Sequence, residues 1–301
     1  MDTEILDTKN DKTRYGMVCG ISSYMMWGVL PIYWKIVKDV SAYEILAHRI
    51  LWSFIMMIIL VAFSGGLGKL GDIFRDRRSM AYITVCSILI TFNWFLFIWC
   101  VNNGHIVDSS LGYYINPLMS VFLGTFVLKE RLDIGQKAAI AVAAAGVLTM
   151  ILLYGSFPWI PMSLAASFAV YGLLKKKIAL DSSAGLAVET LITAPFALVF
   201  LSYLSIGGNG AFGSSTFTTV ILMLSGIVTA VPLLLFAEGA KLVKLSTIGF
   251  LQYISPTISL FIGIFLFKER VTEVNMIGLC FIWAALAVYS YSLLRLQGVN
   301  A

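Results

Sequence analysis

The sequence predicts an all-α integral membrane protein with ten transmembrane helices arranged as two inverted five-helix repeats. Three observations carry this expectation. The chain is strongly apolar: 59% of its 301 residues are hydrophobic and only 12% are charged, about half the charged fraction of a soluble domain. Its basic residues fall in short clusters between apolar runs. A segment at 114–132 returns, without gaps, at 253–271. In water such a chain would leave large exposed apolar patches, so lipid is its natural solvent.

A helix needs about 20 apolar residues to cross about 30 Å of hydrocarbon. Ten stretches qualify: 16–37, 43–63, 80–101, 107–128, 134–153, 157–174, 185–205, 217–237, 245–267 and 274–294. The sixth is short and opens with Pro158 and Pro161. Prolines suit a first helical turn, whose amide hydrogens lack partners anyway. Residues 1–15 are polar and of mixed charge. They read as a solvated cytoplasmic tail, since a signal peptide needs a basic start followed by an apolar core. Residues 296–301 form a second short cytoplasmic tail.

With the N-terminus inside, sixteen of the 21 basic residues lie on the cytoplasmic side: Lys9, Lys12, Arg14, Lys69, Arg75, Arg77, Arg78, Lys129, Arg131, Lys137, Lys175, Lys176, Lys177, Lys241, Lys244 and Arg295. Four lie outside (Lys35, Lys38, Lys268 and Arg270), and Arg49 falls within a helix. Cytoplasmic loops of membrane proteins carry such an excess of Lys and Arg. The bias supports ten helices with both termini inside. The net charge of +5 is therefore a topology signal, and nucleic acid is not an expected partner.

The repeat reads YINPLMSVFLGTFVLKERL at 114–132 and YISPTISLFIGIFLFKERV at 253–271, with 10 of 19 positions identical. Shared membrane composition explains the apolar matches. It does not explain a proline, a glycine and a KER triplet held in register. The two units are 16–154 and 155–295, each of five helices. Five is odd, so the second unit is inverted relative to the first. The first triplet then falls inside and the second outside. Each reads as a solvated helix end, with a substrate role as the alternative. Inverted repeats are a signature of secondary transporters, in which exchange of shape between the halves opens a central site to each side in turn.

Other classes lack their motifs. Cys19, Cys86, Cys100 and Cys280 all sit in apolar runs without a C-x-x-C pair, and read as packing residues. With only His48 and His105, and no clustered ligands, no metal site is expected. No G-x-x-x-x-G-K-[ST] exists, and GGLGKLG at 65–71 has the wrong spacing, so no nucleotide or other cofactor is expected. An integral-membrane enzyme would need D-D-x-x-D or H-x-x-H pairs, which are absent. A non-transporting sensor or scaffold would bring a soluble domain, and the loops are too short for one.

Several stretches are similar to the drug/metabolite transporter superfamily, to its EamA-type permeases and within them to the RarD group named for chloramphenicol sensitivity. They are WGVLPIYWK (27–35), EILAHRILWS (44–53), NWFLFIWCVNN (93–103), SLGYYINPL (110–118), VYGLLKKK (170–177), GIVTAVPLL (226–234), GFLQYISPT (249–257) and FIWAALAVY (281–289). They run through nearly the whole chain. The resemblance implies two inverted five-helix units around a central small-solute pathway in the cytoplasmic membrane, without ATP. The second KER departs from the plainer acidic motif expected there.

Polar groups inside a membrane helix are costly, which makes them functional candidates. Arg49 lies about two turns into its helix. It either pairs with Glu44 or Glu189, snorkels, or meets an anionic substrate. Glu44 and His48 are spaced i, i+4 on one face, as a proton-coupling pair or a structural hydrogen bond. Glu189 is a third coupling-ion candidate. Asn93, Asn116 and Gln252 lie deep, either tying helices together or lining the pathway. Trp27, Trp94, Tyr113, Tyr114, Tyr171 and Tyr253 are candidates for an amphipathic pocket, whereas Trp52 and Trp99 read as packing or interface belt. Pro31, Pro117, Pro195, Pro232 and Pro256 are candidate kinks or hinges. The fifth helix, rich in small residues, and with it the tenth, are candidates for peripheral packing or a homodimer face. Taken together, the residues expected to bind solute are Arg49, Asn93, Trp94, Tyr113, Tyr114, Tyr171, Gln252 and Tyr253.

Overall fold

The computed structural model describes residues 2–102, 106–154, 157–178, 181–268 and 273–299. Among them the chain is helical, with no strand. The helices are α1 (Asp2–Ile36), α2 (Ala42–Phe63), α3 (Leu67–Arg75), α4 (Arg77–Asn102), α5 (Ile106–Phe126), α6 (Ile134–Tyr154), α7 (Trp159–Lys177), α8 (Ser182–Ile206), α9 (Thr216–Leu242), α10 (Leu245–Leu251), α11 (Ile254–Phe261) and α12 (Glu273–Val299). A π-helical turn, Ile262–Leu266, continues α11. Each of the ten expected stretches falls on this helical framework. Six segments are long and apolar enough to cross a membrane: Ala42–Phe63, Arg77–Phe97, Ile134–Leu153, Ser182–Ile206, Thr216–Leu242 and Leu245–Leu266.

Three features differ from the sequence reading. Residues 2–15, expected as a tail, continue the first helix; no Gly or Pro interrupts them before Gly16. Nine residues between α2 and α4 form α3, too short to register as a span. Its Leu67, Leu70, Ile73 and Phe74 follow helical spacing, with Ile73 buried. The ninth stretch is broken at Gln252–Tyr253. Pro256 has no amide hydrogen to offer the carbonyl four residues earlier, that of Gln252. That oxygen instead accepts from Ser255 N at 3.3 Å. Pro31, Pro117, Pro195 and Pro232 lie inside continuous helices, and Pro158 and Pro161 open α7 as expected.

The helices pack as a bundle. α1 lies against α9 and α11, α2 against α8 and α9, α4 against α7 and α8, α5 against α7 and α10, and α6 against α12. One core gathers around Tyr24, Met57, Tyr171 and Phe236. A second gathers around Tyr114, Phe250, Tyr253 and Tyr289, where the Phe250 and Tyr289 rings stack at 3.7 Å. Close crossings need small residues. At the α2–α9 crossing a Cβ on Gly226 would sit 2.4 Å from the Trp52 carbonyl carbon.

The two triplets begin on the same unusual backbone. Lys129 and Lys268 have φ of 55° and 56°, the only non-glycine residues with positive φ among those described. This left-handed residue ends a helix and reverses the chain. After Lys129, Glu130 turns back across the bundle. Its carboxylate accepts from Leu245 N at 2.7 Å, Ser246 N at 2.9 Å and Ser246 Oγ at 2.7 Å. Glu130 therefore caps α10 across the bundle, and is not the solvated charge expected. Glu269 and Arg270 of the second triplet lie outside the described residues.

Candidate functional site

Arg49 sits half-buried on α2, two turns from the end at which that helix begins. Its guanidinium lies between two indoles, 4.8 Å from the Trp34 ring centroid on α1 and 4.6 Å from that of Trp94 on α4. Nε donates to Thr229 Oγ1 on α9 at 3.0 Å. Tyr33 and Tyr113 lie within electrostatic range of it. Four helices, α1, α2, α4 and α9, thus position one cation, and α5 approaches it through Tyr113. Each indole face contributes about 2 kcal/mol when desolvated, so the rings hold the charge without neutralising it.

Neither expected ion-pair partner reaches Arg49. Glu44 Oε1 accepts from the backbone N–H of Ala211 at 2.7 Å and of Phe212 at 3.3 Å, pinning the α8–α9 loop. Glu189 is taken by Lys175. Among the described side chains no carboxylate lies within 4.0 Å of Arg49. Tyr113 is 47% exposed and packs its ring on Phe97 at 5.9 Å. Arg49, Trp34, Trp94 and Tyr113 therefore line a partly open polar-aromatic site.

Further along α1 the interior is filled by aromatic side chains. Tyr24 and Trp27 of α1, Phe168 and Tyr171 of α7 and Phe236 of α9 form one aromatic cluster. Centroid separations run from 5.2 Å for Phe168–Phe236 to 6.2 Å for Tyr24–Phe236, and Tyr24, Tyr171 and Phe236 are fully buried. Beside it, at the break before α11, Gln252 Nε2 donates to Ser120 Oγ at 3.3 Å. The Tyr253 hydroxyl donates to the Tyr114 carbonyl at 3.2 Å. The Gln252 side chain also lies against the Tyr24 hydroxyl, and Asn116 Oδ1 is buried without a hydrogen-bond partner.

The relatives decide what kind of protein carries this site. The model of the EamA-like transporter family matches residues 14–152 and 158–291. The chain belongs to the EamA-like transporter family. Among its relatives, "Uncharacterized transporter YojE" of Bacillus subtilis is 43% identical, covering 93% of this chain and 95% of that one. "Protein RarD" of Escherichia coli is 38% identical, covering 92% and 94%. "Chloramphenicol-sensitive protein RarD" of Pseudomonas aeruginosa is 25% identical, covering 93% and 95%. A solved crystal structure superposes with a TM-score of 0.69 at 18% identity, covering 91% of this chain and 96% of that one, which shows a shared fold. The EamA-family chain is thus a multi-pass membrane protein of a transporter family.

Within this EamA-family fold the predicted residues divide. Arg49, Trp94 and Tyr113 come together. Asn93 is committed elsewhere: its Nδ2 donates to the Leu164 carbonyl and to Ser167 Oγ, both at 2.9 Å, tying α4 to α7. Tyr114, Tyr171, Gln252 and Tyr253 are buried and are not among the groups against Arg49. His48 accepts from Trp52 Nε1 on Nδ1 at 3.3 Å, which places the proton of neutral imidazole on Nε2. That nitrogen is buried, unpaired and 3.9 Å from Glu44 Oε1. Its ring stacks on Phe212 at 4.9 Å.

The sequence reading missed three contributors. Trp34 and Thr229 lie within the family-like stretches 27–35 and 226–234, but nothing in either stretch set them apart as neighbours of Arg49. Lys175 was counted with Lys176 and Lys177 as a loop charge, but it is buried in the last turn of α7 against Glu189. Its position one turn after Tyr171 was the available clue. No group of three His, Cys, Asp or Glu residues suited to a metal occurs among the described residues.

Proposed function

We propose that this protein is a secondary transporter of small amphipathic solutes bearing an anionic group, worked by alternating access between two inverted five-helix units in the cytoplasmic membrane, with both termini inside. The observation that carries the reading is Arg49: a cation in an apolar bundle, flanked by two indoles and without a carboxylate partner among the described side chains. Such a group is retained at a cost of roughly 2.5–3.5 kcal/mol at the middle of a bilayer, and an anionic solute would neutralise it. The indole faces would take an aromatic or apolar portion of the same solute.

Inversion is supported by the packing. Exchanging α1, α2, α4, α5 and α6 for α7, α8, α9, the α10–α11 unit and α12 turns the α1–α9 contact into α7–α4, α2–α9 into α8–α4, and α5–α7 into the contact of α10 and α11 with α1. The pairs α2–α8, α5–α10 and α6–α12 map onto themselves. All of these contacts are present. The matching backbone at Lys129 and Lys268 and the two family matches point the same way. The buried aromatic cluster on one side of the Arg49 level, against the half-exposed Tyr113 on the other, supports a state open toward the end where α2 begins.

Binding is testable without knowing the physiological solute, because Trp34 and Trp94 report on Arg49. Benzoate should change intrinsic tryptophan fluorescence saturably, and Arg49→Ala should abolish the change while melting near the parent temperature. Chloramphenicol, suggested by a relative's name, serves as the neutral comparison. An equal benzoate response in Arg49→Ala would overturn the anion reading.

A further inference from the structure

Lys175 and Glu189 form a buried ion pair that the Arg49 site does not use. Their side chains are only 3% and 1% exposed. The Tyr171 hydroxyl donates to the other carboxylate oxygen at 3.3 Å, and Lys175 Nζ lies 5.4 Å over the Tyr171 ring. Tyr171 stacks in turn on Phe236 at 5.9 Å, so the pair backs directly onto the aromatic cluster that closes this end of the interior. The charged and titratable groups around it are Cys86 on α4, Tyr171 and Lys175 on α7, Asp181 at the start of α8, and Glu238 and Lys241 on α9. Lys69 of α3 holds Asp181 at 3.3 Å, and Lys241 Nζ donates to Ser182 Oγ at 2.6 Å.

A cavity of about 10 Å³, room for about one water, lies against the pair, lined by Lys175, Glu189, Asp181, Lys241, Ile178 and Ala237 among others. Asp181 lines the same cavity and is exposed, so the cavity leads from Glu189 toward the surface at the end where α8 begins, the end the basic clusters assign to the cytoplasm. The aromatic cluster blocks the other direction.

We propose that Glu189 is a proton-binding site, filled through this cavity, whose occupancy releases Lys175 and opens the aromatic closure. One proton from solution adds to a carboxylate oxygen of Glu189, forming an O–H bond. The carboxylate loses its charge and the site gains one positive charge. Lys175 then becomes a buried ammonium without a counter-ion, a strongly disfavoured state. Its flexible four-carbon stem lets the ammonium move to water beside Asp181. That withdrawal removes the cation from under Tyr171 and loosens the contact with Phe236. For the transport reading, on which this rests for its biological meaning, the site links cytoplasmic proton activity to opening at that end.

The native Cys86 is a reporter of this opening, since it is fully buried beside the pair. A variant carrying Cys19→Ser, Cys100→Ser and Cys280→Ser leaves it as the sole thiol. Its N-ethylmaleimide labelling rate in detergent, divided by that of free glutathione at the same pH, should rise about tenfold per unit of falling pH across the transition, as a one-proton linkage requires. Adding Glu189→Gln should give a high relative rate at every pH. Adding Glu189→Gln with Lys175→Met, which removes the orphaned ammonium, should give a low rate at every pH. A pH-independent relative rate in the parent overturns the proposal, as does a pH dependence that survives either addition. If Glu189→Gln alone fails to fold, the double substitution decides. The readout uses no solute, so absence of solute flux would sink the transport reading and leave this result standing.

Discussion

Glu130 is the clearest case in which one side chain joins the two halves, and its removal has a calculable cost. Glu130→Ala takes away three accepted hydrogen bonds at the start of α10, from Leu245 N, Ser246 N and Ser246 Oγ. Bonds to a charged acceptor contribute about 1.5–3 kcal/mol, and losing a helix cap costs about 0.5–2 kcal/mol. The site is half-buried, so water replaces part of the loss, and a net cost of about 2–3 kcal/mol follows. For a chain of this size each kcal/mol lowers the melting temperature by about 2 °C, giving a fall of about 4–6 °C in a detergent melting assay. Gly124 supplies an independent check, because a Cβ there would lie 2.7 Å from Glu130 Oε2. Gly124→Ala should displace the same carboxylate, so the double substitution should cost little more than Glu130→Ala alone. A melting temperature within 1 °C of the parent for Glu130→Ala, or full additivity of the two, would refute the cap.

Other outcomes follow from particular contacts. Glu44→Ala should speed hydrogen exchange at Ala211 and Phe212 by about tenfold or more, the equivalent of one lost charge-assisted bond, with little change elsewhere. Asn93→Ala should lower stability by only about 1 kcal/mol, since Ser167 Oγ still donates to the Leu164 carbonyl. Any larger loss of function would return Asn93 to the pathway. The Ser183 hydroxyl, with the Ala184 amide and Lys69, holds the Asp181 carboxyl down at about 2. A folded-state value below the unfolded one of about 3.9 means that its stabilisation is present above about pH 4 and lost as pH falls toward 2. Asp181→Asn should flatten that part of a melting-temperature profile.

How much was legible in the sequence differs from element to element. The helices were, because about twenty apolar residues closed by charges have few alternative folds. The break at Gln252 was half legible: Pro256 announces a defect, but the same proline at Pro117 leaves its helix continuous. Which residue yields depends on packing across the bundle. α3 was hidden because nine amphipathic residues in a basic loop resemble a solvated connection. Arg49 stood out by the cost of its charge alone. Its indole partners did not, since Trp34 and Trp94 lie on helices separated by forty residues of chain. Lys175 was misread for a related reason. In KKK, three identical residues point in three directions around a helix, and only the fold tells which one faces Glu189.

The central claim, solute transport through the Arg49 site, is tested most directly by counterflow. Purified protein in liposomes preloaded with unlabelled benzoate should accumulate labelled benzoate transiently without nucleotide. Arg49→Ala should abolish the accumulation at an unchanged melting temperature, and Arg49→Lys should retain part of it. Accumulation in Arg49→Ala equal to the parent's would contradict the account.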